Sequence, residues 1–140
     1  METAMHIDGG CHCGYITYEA EVDPDKVGIC HCTDCQKLSG TAYRVTVSTH
    51  KDGFKLLTGQ PKIYVKTAES GNKRAHGFCP ECGTPIYATN VQDPHVYGIR
   101  VGTTNQRTEL VPRMQGWCRS ALHWVMNIEA LHKYAKQRPL

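Results

Sequence analysis

The positions of the cysteines constrain this chain more than any other feature of its sequence. Seven of its eight cysteines fall into three short groups. The sulfurs of a tetrahedral zinc site lie ~3.8 Å apart, and a turn that contains C-x-C or C-x-x-C supplies two sulfurs at that separation. The spacing therefore predicts metal sites. The first group is Cys11 and Cys13 in "GGCHCG", the second is Cys30, Cys32 and Cys35 in "GICHCTDCQKLSG", and the third is Cys79 and Cys82 in "CPECGTP".

The sequence lacks the patterns that direct a chain to a membrane or out of the cell. The amino terminus, "METAMHIDGG", has neither a basic flank nor an apolar run, and no apolar window is long enough to span a membrane. We therefore expect a cytoplasmic protein with no membrane partner. Because thiols stay reduced in the cytosol, the cysteines indicate metal or redox chemistry and not a disulfide framework.

Length and charge indicate one globular domain. A chain of 140 residues is long enough to bury a sizeable core by itself. The formal charge of +3 is small, and the sequence lacks the basic stripe that nucleic-acid binding usually requires. We expect a single zinc-binding domain over residues 1–140, with a short basic tail from about residue 127 and no nucleic-acid partner.

Alternating apolar residues predict an all-β domain of short antiparallel strands. In Tyr43–Thr49, the residues Tyr43, Val45 and Val47 share one face, which is typical of a half-buried strand. Gly59 and Pro61 mark a turn between two further strands. The other predicted strands are Tyr15–Val22, "FKLL", "KIYVKT", "RAHGFC", "PIYATN" and "HVYGIRV".

Two segments carry helical signals. The stretch "TDCQKLSG" is predicted to form one or two turns, with Thr33 or Asp34 as its cap and Gly40 at its end. The second segment is Asn127–Lys136, where the apolar residues at helical spacing are Ile128, Leu131 and Tyr134.

The first and third groups together offer four thiolates, which is the ligand set of a closed structural zinc site. Pro80 stiffens the turn of the third group, and Gly83 lets its backbone fold around the sulfurs. The favoured partition pairs these two groups, which closes a long loop of the chain. A second partition, in which Cys30 and Cys32 join the third group, stays open on sequence grounds.

Under the favoured partition, the second group supplies only three ligands. Three protein ligands and an open fourth position are typical of a catalytic zinc. The alternative is a closed site, completed by Cys118 or by a histidine. His12 and His31 each lie between two ligands, so we expect their side chains to point away from the metals. Asp34, Gln36 and Ser39 are candidates for groups that position the ligands, because they lie beside them in the sequence.

The region around Cys118 offers no second cysteine that would present it to a metal. We therefore expect Cys118 to be a buried free thiol and not a metal ligand. The surrounding "WCRSALHW" is interpreted as a packing segment, with Trp117 and Trp124 contributing apolar area near the site.

The ordered set "GGCHCG", "CHCTDCQKLSG", "GFCPECGTPIY" and "QGWCRSALHW" resembles the glutathione-dependent formaldehyde-activating enzyme family, also called the centromere protein V family. The resemblance runs from about Gly9 to Trp124. It implies the β-tent fold, in which short antiparallel strands surround zinc sites. It also implies two zinc ions: a structural one on the first and third groups, and a catalytic one on the second group.

The resemblance implies an enzyme that acts on a thiol adduct, such as glutathione plus a small aldehyde, by forming or cleaving a carbon–sulfur bond. We accordingly expect a carbon–sulfur lyase whose partners are a small-molecule thiol, with glutathione as a possible co-substrate, and an electrophile. Two rival hypotheses use the same cysteines. One is a non-catalytic zinc-binding interaction module, and the other is a thiolate sensor of zinc or redox state.

Overall fold

Residues 4–139 are described by the structure, which is a computed structural model. Their backbone forms ten short strands and one α-helix. The strands are β1 (Met5–Gly10), β2 (Thr17–Val22), β3 (Val27–Cys30), β4 (Arg44–His50), β5 (Phe54–Thr58), β6 (Lys62–Thr67), β7 (Lys73–Phe78), β8 (Pro85–Asn90), β9 (Val96–Arg100) and β10 (Met114–Gly116), and the helix is α1 (Thr33–Ser39). Three single 3₁₀ turns lie at Lys51–Gly53, Val101–Thr103 and Cys118–Ser120. Residues 1–3 and 140, which the single-domain prediction includes, lie outside the described residues.

The strands form two sheets. The smaller sheet has the order β1-β2-β5, and the larger has the order β10-β3-β4-β9-β8-β7-β6. All the strand pairs are antiparallel except β10 with β3, which is parallel. The predicted all-β class with short antiparallel strands is confirmed. None of the helices in the described range is long and apolar enough to cross a membrane.

The two sheets share one hydrophobic core. Side chains of the smaller sheet, such as Ile7 and Tyr18, pack with Val47 and Ile99 of the larger sheet. Fully burying one such side chain contributes about 1.5–3 kcal/mol. The core therefore lies on one face of the larger sheet, and alternation along the strands sends the intervening residues to the opposite face.

The turn "TGQP" separates two strands that do not pair with each other. β5 pairs with β2 in the smaller sheet, whereas β6 pairs with β7 at the edge of the larger one. Gly59 has a φ of +78°, and a Cβ there would lie 2.6 Å from the carbonyl oxygen of Tyr15. This turn therefore carries the chain from one sheet to the other.

The predicted helix over Asn127–Lys136 is wrong, because the structure shows only turns and bends there. Its three apolar residues, Ile128, Leu131 and Tyr134, are all exposed. A ten-residue helix is marginal in water unless its apolar face packs against something. The spacing of the apolar residues is helical, but because these side chains stay exposed, no buried apolar face stabilises a helix.

Candidate metal centres and the adjoining polar face

The sulfurs of the first and third groups lie together. Cys11 and Cys13 follow β1, and Cys79 and Cys82 lie in the turn between β7 and β8. The Sγ atoms of Cys11 and Cys13 are 3.6 Å apart, and those of Cys13 and Cys79 are 3.7 Å apart. All four sulfurs lie within 4.8 Å of one another. These separations match the ~3.8 Å edge of a tetrahedral zinc–thiolate site and exceed a ~2.05 Å disulfide bond.

Each of these two turns wraps its backbone around a sulfur. The amide of Ile16 donates to Cys11 Sγ at 3.2 Å, and the amide of Glu81 donates to Cys79 Sγ at 3.3 Å. Gly14 and Gly83, which directly follow the second cysteine of each turn, have φ values of +85° and +81°. Because left-handed backbone is unstrained only at glycine, these two residues allow the turns to close.

Thr84 connects the two turns and polarises one thiol. Its hydroxyl oxygen accepts a hydrogen bond from the amide of His12 at 3.1 Å and lies 3.2 Å from Cys82 Sγ. The hydrogen bond with this hydroxyl is the main reason that the pKa of Cys82 is lowered to about 5. A thiol that ionises readily is a good metal ligand, since only the thiolate binds.

The second group forms a separate cluster. Cys30 ends β3, Cys32 immediately precedes α1, and Cys35 lies in the first turn of the helix. Their three sulfurs lie within 4.8 Å of one another. The structure thus groups the seven cysteines according to the favoured partition, and Cys30 and Cys32 do not join the third group.

Cys32 caps the helix, in place of the predicted Thr33 or Asp34. Its Sγ accepts a hydrogen bond from the amide of Cys35 at 3.2 Å, as a capping oxygen would. Gly40 ends the helix in the left-handed conformation, as predicted. Burial opposes ionisation of Cys32, but hydrogen bonds from Cys35 leave its pKa below the usual value, whereas burial raises the pKa of Cys35.

Both donor sets suit a soft divalent metal ion such as zinc. The sulfurs converge, amides hydrogen bond to several of them, and all the cysteines are free. The four-cysteine cluster could satisfy a tetrahedral ion completely. The three-cysteine cluster offers one ligand fewer.

Neither Cys118 nor a histidine belongs to a cysteine cluster among the described residues. Cys118 is exposed, contrary to the expected buried thiol, and its Sγ lies 3.7 Å from the carbonyl oxygen of Gln115. His31 is buried, with its Nε2 2.7 Å from the amide oxygen of Gln115. His12 is exposed.

The expectation that Trp117 and Trp124 belong to a packing segment is also wrong. Trp117 and Trp124 are 45% and 47% exposed. Trp117 adopts φ +54°, and the guanidinium of Arg119 stacks over its ring. The indole is therefore partly covered by a cation and is not buried in the core.

Two of the three candidate positioning residues fasten α1 in place. The side-chain amide of Gln36 donates to the carbonyl oxygens of His31 at 2.8 Å and Ser120 at 3.0 Å. Asp34 forms an ion pair with Lys66 of β6 at 2.8 Å, and the hydrogen bond from Lys66 lowers the pKa of Asp34. The third candidate, Ser39, contacts only its own helix end.

Sequence reasoning missed a basic cluster beside the second group. Arg44 begins β4 directly opposite Cys30 of β3. By the strand register, Arg44 lies on the same face of the larger sheet as Arg74, His76 and Arg100, and this face points away from the core. We call this the polar face. The only signal in the sequence was the alternation of Arg44 with the apolar residues of β4.

Burial and the neighbouring cations change the ionisation of this cluster. Burial, followed by the positive charge of Arg44, lowers the pKa of Arg100 to about 9. Burial and the charge of Arg100 lower the pKa of His76 to about 4. His76 is therefore neutral near pH 7, while the arginines are cations.

A mostly apolar cavity of about 320 Å³ adjoins the polar face. It lies between the helix and the turn of the third group. Its lining includes Leu38, Tyr64, His76, Phe78, Tyr87 and Arg100.

Comparison with known proteins supports a single family. A crystal structure of a Rhodobacter sphaeroides protein, determined in a structural genomics programme, matches with a TM-score of 0.60 and 19% identity, covering 77% of this chain and 98% of the other. At this identity, the similarity shows a shared fold. The model of the family described as "Glutathione-dependent formaldehyde-activating enzyme" matches residues 6–120, which include all eight cysteines. The chain belongs to the glutathione-dependent formaldehyde-activating enzyme family.

Proposed function

We propose that the protein is a zinc-dependent enzyme that forms or cleaves a carbon–sulfur bond in a thiol adduct, such as that of glutathione with a small aldehyde. The observation that carries the proposal is the three-cysteine cluster, from which Cys118 lies apart. A metal held by Cys30, Cys32 and Cys35 has one position left for an exogenous sulfur.

The two clusters have different roles in this proposal. Cys11, Cys13, Cys79 and Cys82 would hold a structural zinc ion, which would tie the turn after β1 to the β7–β8 hairpin. Cys30, Cys32 and Cys35 would hold the catalytic zinc ion. A bound zinc ion would favour the thiolate form of a substrate thiol.

The proposed reaction is an addition across a carbonyl group. The substrate sulfur forms a bond to the aldehyde carbon, the carbonyl π bond opens, and the thiol proton ends on the carbonyl oxygen. Cleavage of the adduct is the reverse. The chain contributes a fixed ligand turn through the Cys32–Cys35 hydrogen bond. Leu38, from the helix that carries Cys35, lines the mostly apolar cavity next to the polar face.

A zinc ion with three thiolates carries a net charge of −1, which weakens its Lewis acidity. This favours sulfur chemistry over demanding hydrolysis. The proposed enzyme class is a carbon–sulfur lyase, and the proposed partners are a small-molecule thiol and an electrophile. The free cysteines favour a reducing compartment, and the cytoplasm stays the predicted location.

The test is exchange spectroscopy by NMR on glutathione and formaldehyde with zinc-loaded protein. We expect the wild type and Cys118→Ser to accelerate the formation of the hydroxymethyl thioether, and Cys32→Ser to lose this activity. Other small thiols and aldehydes are tested in the same way. If the zinc-loaded wild type accelerates none of these exchanges, the enzyme proposal is wrong and a binding module takes its place.

A further inference from the structure

The polar face holds three arginines from three different strands around one cavity. Arg44 comes from β4, Arg74 from β7 and Arg100 from β9, and all three line a space of about 210 Å³. Small residues on β8 and β9, Ala88 and Gly98, form part of the same lining and leave room between the guanidinium groups. The cavity is therefore open to a ligand at its centre.

Several buried donors in this cluster have no partner. Arg44 Nε and Nη1, and His76 Nε2, are buried without a hydrogen-bond acceptor. Arg100 Nη2 lies 3.2 Å from His76 Nδ1. Because arginine only donates, Nδ1 accepts this bond, and the imidazole proton lies on the unpartnered Nε2. Unpaired buried donors are rare in proteins, since each costs about 1–3 kcal/mol.

No carboxylate lies within ion-pair distance of these arginines in the described part of the chain, although Asp34 interacts with Arg44 electrostatically. Arg74 donates to the neutral amide oxygen of Asn90 at 2.8 Å, and none of the three arginines forms an ion pair there. The nearby pair of Asp34 and Lys66 is already neutral as a unit. A cluster of three cations with orphaned donors is complementary to an anion.

The cluster also lies next to the second cysteine group. Arg44 faces Cys30 across the β3–β4 pair, and Arg44 and Arg100 both interact electrostatically with Cys35. A zinc ion with three thiolates would offset one positive charge. Two positive charges would remain for a ligand that reaches this centre.

The geometry points to a carboxylate-binding subsite formed by Arg44, Arg74 and Arg100. A guanidinium pairs with a carboxylate through two parallel N–H···O bonds, which would satisfy the two orphaned donors of Arg44. Resting on the proposed function, this subsite means that the thiol substrate is bound by its own carboxylate while its sulfur reaches the three-cysteine centre. Glutathione, with two carboxylates, has this chemistry.

The test is calorimetric titration of the zinc-loaded full chain with three probes. S-methylglutathione keeps both carboxylates but has no free thiol. Glutathione diethyl ester keeps the thiol but has no carboxylate, and inorganic phosphate is the competing anion. The variants are Arg44→Gln and Arg74→Gln, with Arg138→Gln in the exposed C-terminal segment as the matched control. A thermal melt of each variant establishes that it is folded.

We expect Arg44→Gln and Arg74→Gln each to weaken S-methylglutathione binding by at least about tenfold, the loss of one charged hydrogen-bonded pair. Arg138→Gln should bind it like the wild type, and the ester should bind Arg44→Gln and the wild type equally. Unchanged affinity of Arg44→Gln for S-methylglutathione overturns the subsite. The subsite is also overturned if phosphate binds more tightly than S-methylglutathione and displaces it.

The two proposals fail in different ways. Cys32→Ser should still bind S-methylglutathione, because that probe does not need the thiol. If Arg44-dependent binding is present but the exchange assay shows no activity, the subsite stands and the enzyme proposal fails. If activity is present but binding does not depend on Arg44, the enzyme proposal stands and the subsite fails.

Discussion

The sulfurs of Cys13 and Cys79 lie 3.7 Å apart although 66 positions separate them in the sequence. Their contact joins the turn after β1 to the turn between β7 and β8. A metal ion held at this junction closes a long loop, and its binding free energy becomes folding free energy. The second cluster, in contrast, gathers its sulfurs from six consecutive residues and closes no such loop.

Substitution of one ligand in each cluster should therefore have unequal effects. We expect Cys82→Ser to lower the melting temperature by more than about 10 °C, since the long-range tie is lost. Cys32→Ser should lower it by only a few degrees, because serine is itself a good helix cap. Calorimetry of both proteins, with Cys118→Ser as the control, measures the difference. Equal losses of stability in Cys82→Ser and Cys32→Ser would contradict the assignment of one structural and one catalytic site.

The protein purified under reducing conditions should contain two zinc ions per chain by elemental analysis. X-ray absorption should give the same average number of sulfur ligands in the wild type and in Cys118→Ala, because Cys118 lies outside both clusters.

Glutathione at millimolar concentration should perturb the coordination of the zinc ion at the three-cysteine cluster. A single zinc ion at full occupancy would refute the two-site assignment, and a lower sulfur count in Cys118→Ala would show a closed second site.

Arg44→Gln should raise the free energy of unfolding of the ligand-free, zinc-loaded protein by about 1 kcal/mol, because it removes one of three neighbouring cations with unpaired donors. Arg113, on the surface, pairs with Asp25 at 3.3 Å. Arg113→Gln should cost less than about 1 kcal/mol. Urea unfolding compares the two variants. A larger loss for Arg44→Gln than for Arg113→Gln would mean that Arg44 is held for stability.

His76 should make stability fall as the pH falls. Its pKa is about 4 in the folded protein, because burial and Arg100 disfavour its charge, but about 6.5 when unfolded. The unfolded chain therefore binds the extra proton between pH 6.5 and 4, and the stabilisation present above pH 6.5 is lost over that range. Between pH 6.5 and 5 the loss should be about 2 kcal/mol.

Urea unfolding of the wild type and His76→Gln at pH 7 and pH 5 isolates this contribution, because thiolate protonation affects both proteins. NMR of the histidine ring protons gives the pKa of His76 directly. The spectrum of His76→Gln identifies which signals belong to this residue. A folded-state value near 6.5 would contradict the prediction.

Gly9→Ala should destabilise the protein at the end of β1, directly before the first cysteine group. A Cβ at Gly9 would lie 2.2 Å from the carbonyl oxygen of Thr103, so the backbone must shift, at a cost of about 2–3 kcal/mol. Gly14→Ala is the matched control. Gly14 has open space and φ +85°, so its substitution costs only about 1 kcal/mol of conformational strain. Thermal melts measure both, and equal effects would argue against the steric explanation.

The features that sequence alone determined are local ones. C-x-C and C-x-x-C spacings fix where two or three sulfurs can converge, because one turn of backbone sets their separation. Gly40 ends the helix because few other residues adopt its φ of +70°. The alternation around Val45 and Val47 likewise assigned each side chain of β4 to a face, since the period of a strand is two residues.

Tertiary structure decided whatever depends on contacts between distant segments. The apolar residues Ile128 and Leu131 have helical spacing, but both stay more than half exposed, so no buried apolar face stabilises a helix. Arg44, Arg74 and Arg100 belong to β4, β7 and β9, and the sheet order β4-β9-β8-β7 differs from the order of these strands in the chain. Each arginine alone is typical of a solvent-facing strand position. Only the sheet pairing brings their charges around one cavity beside Cys30, because strand order is set by the packing of the whole domain.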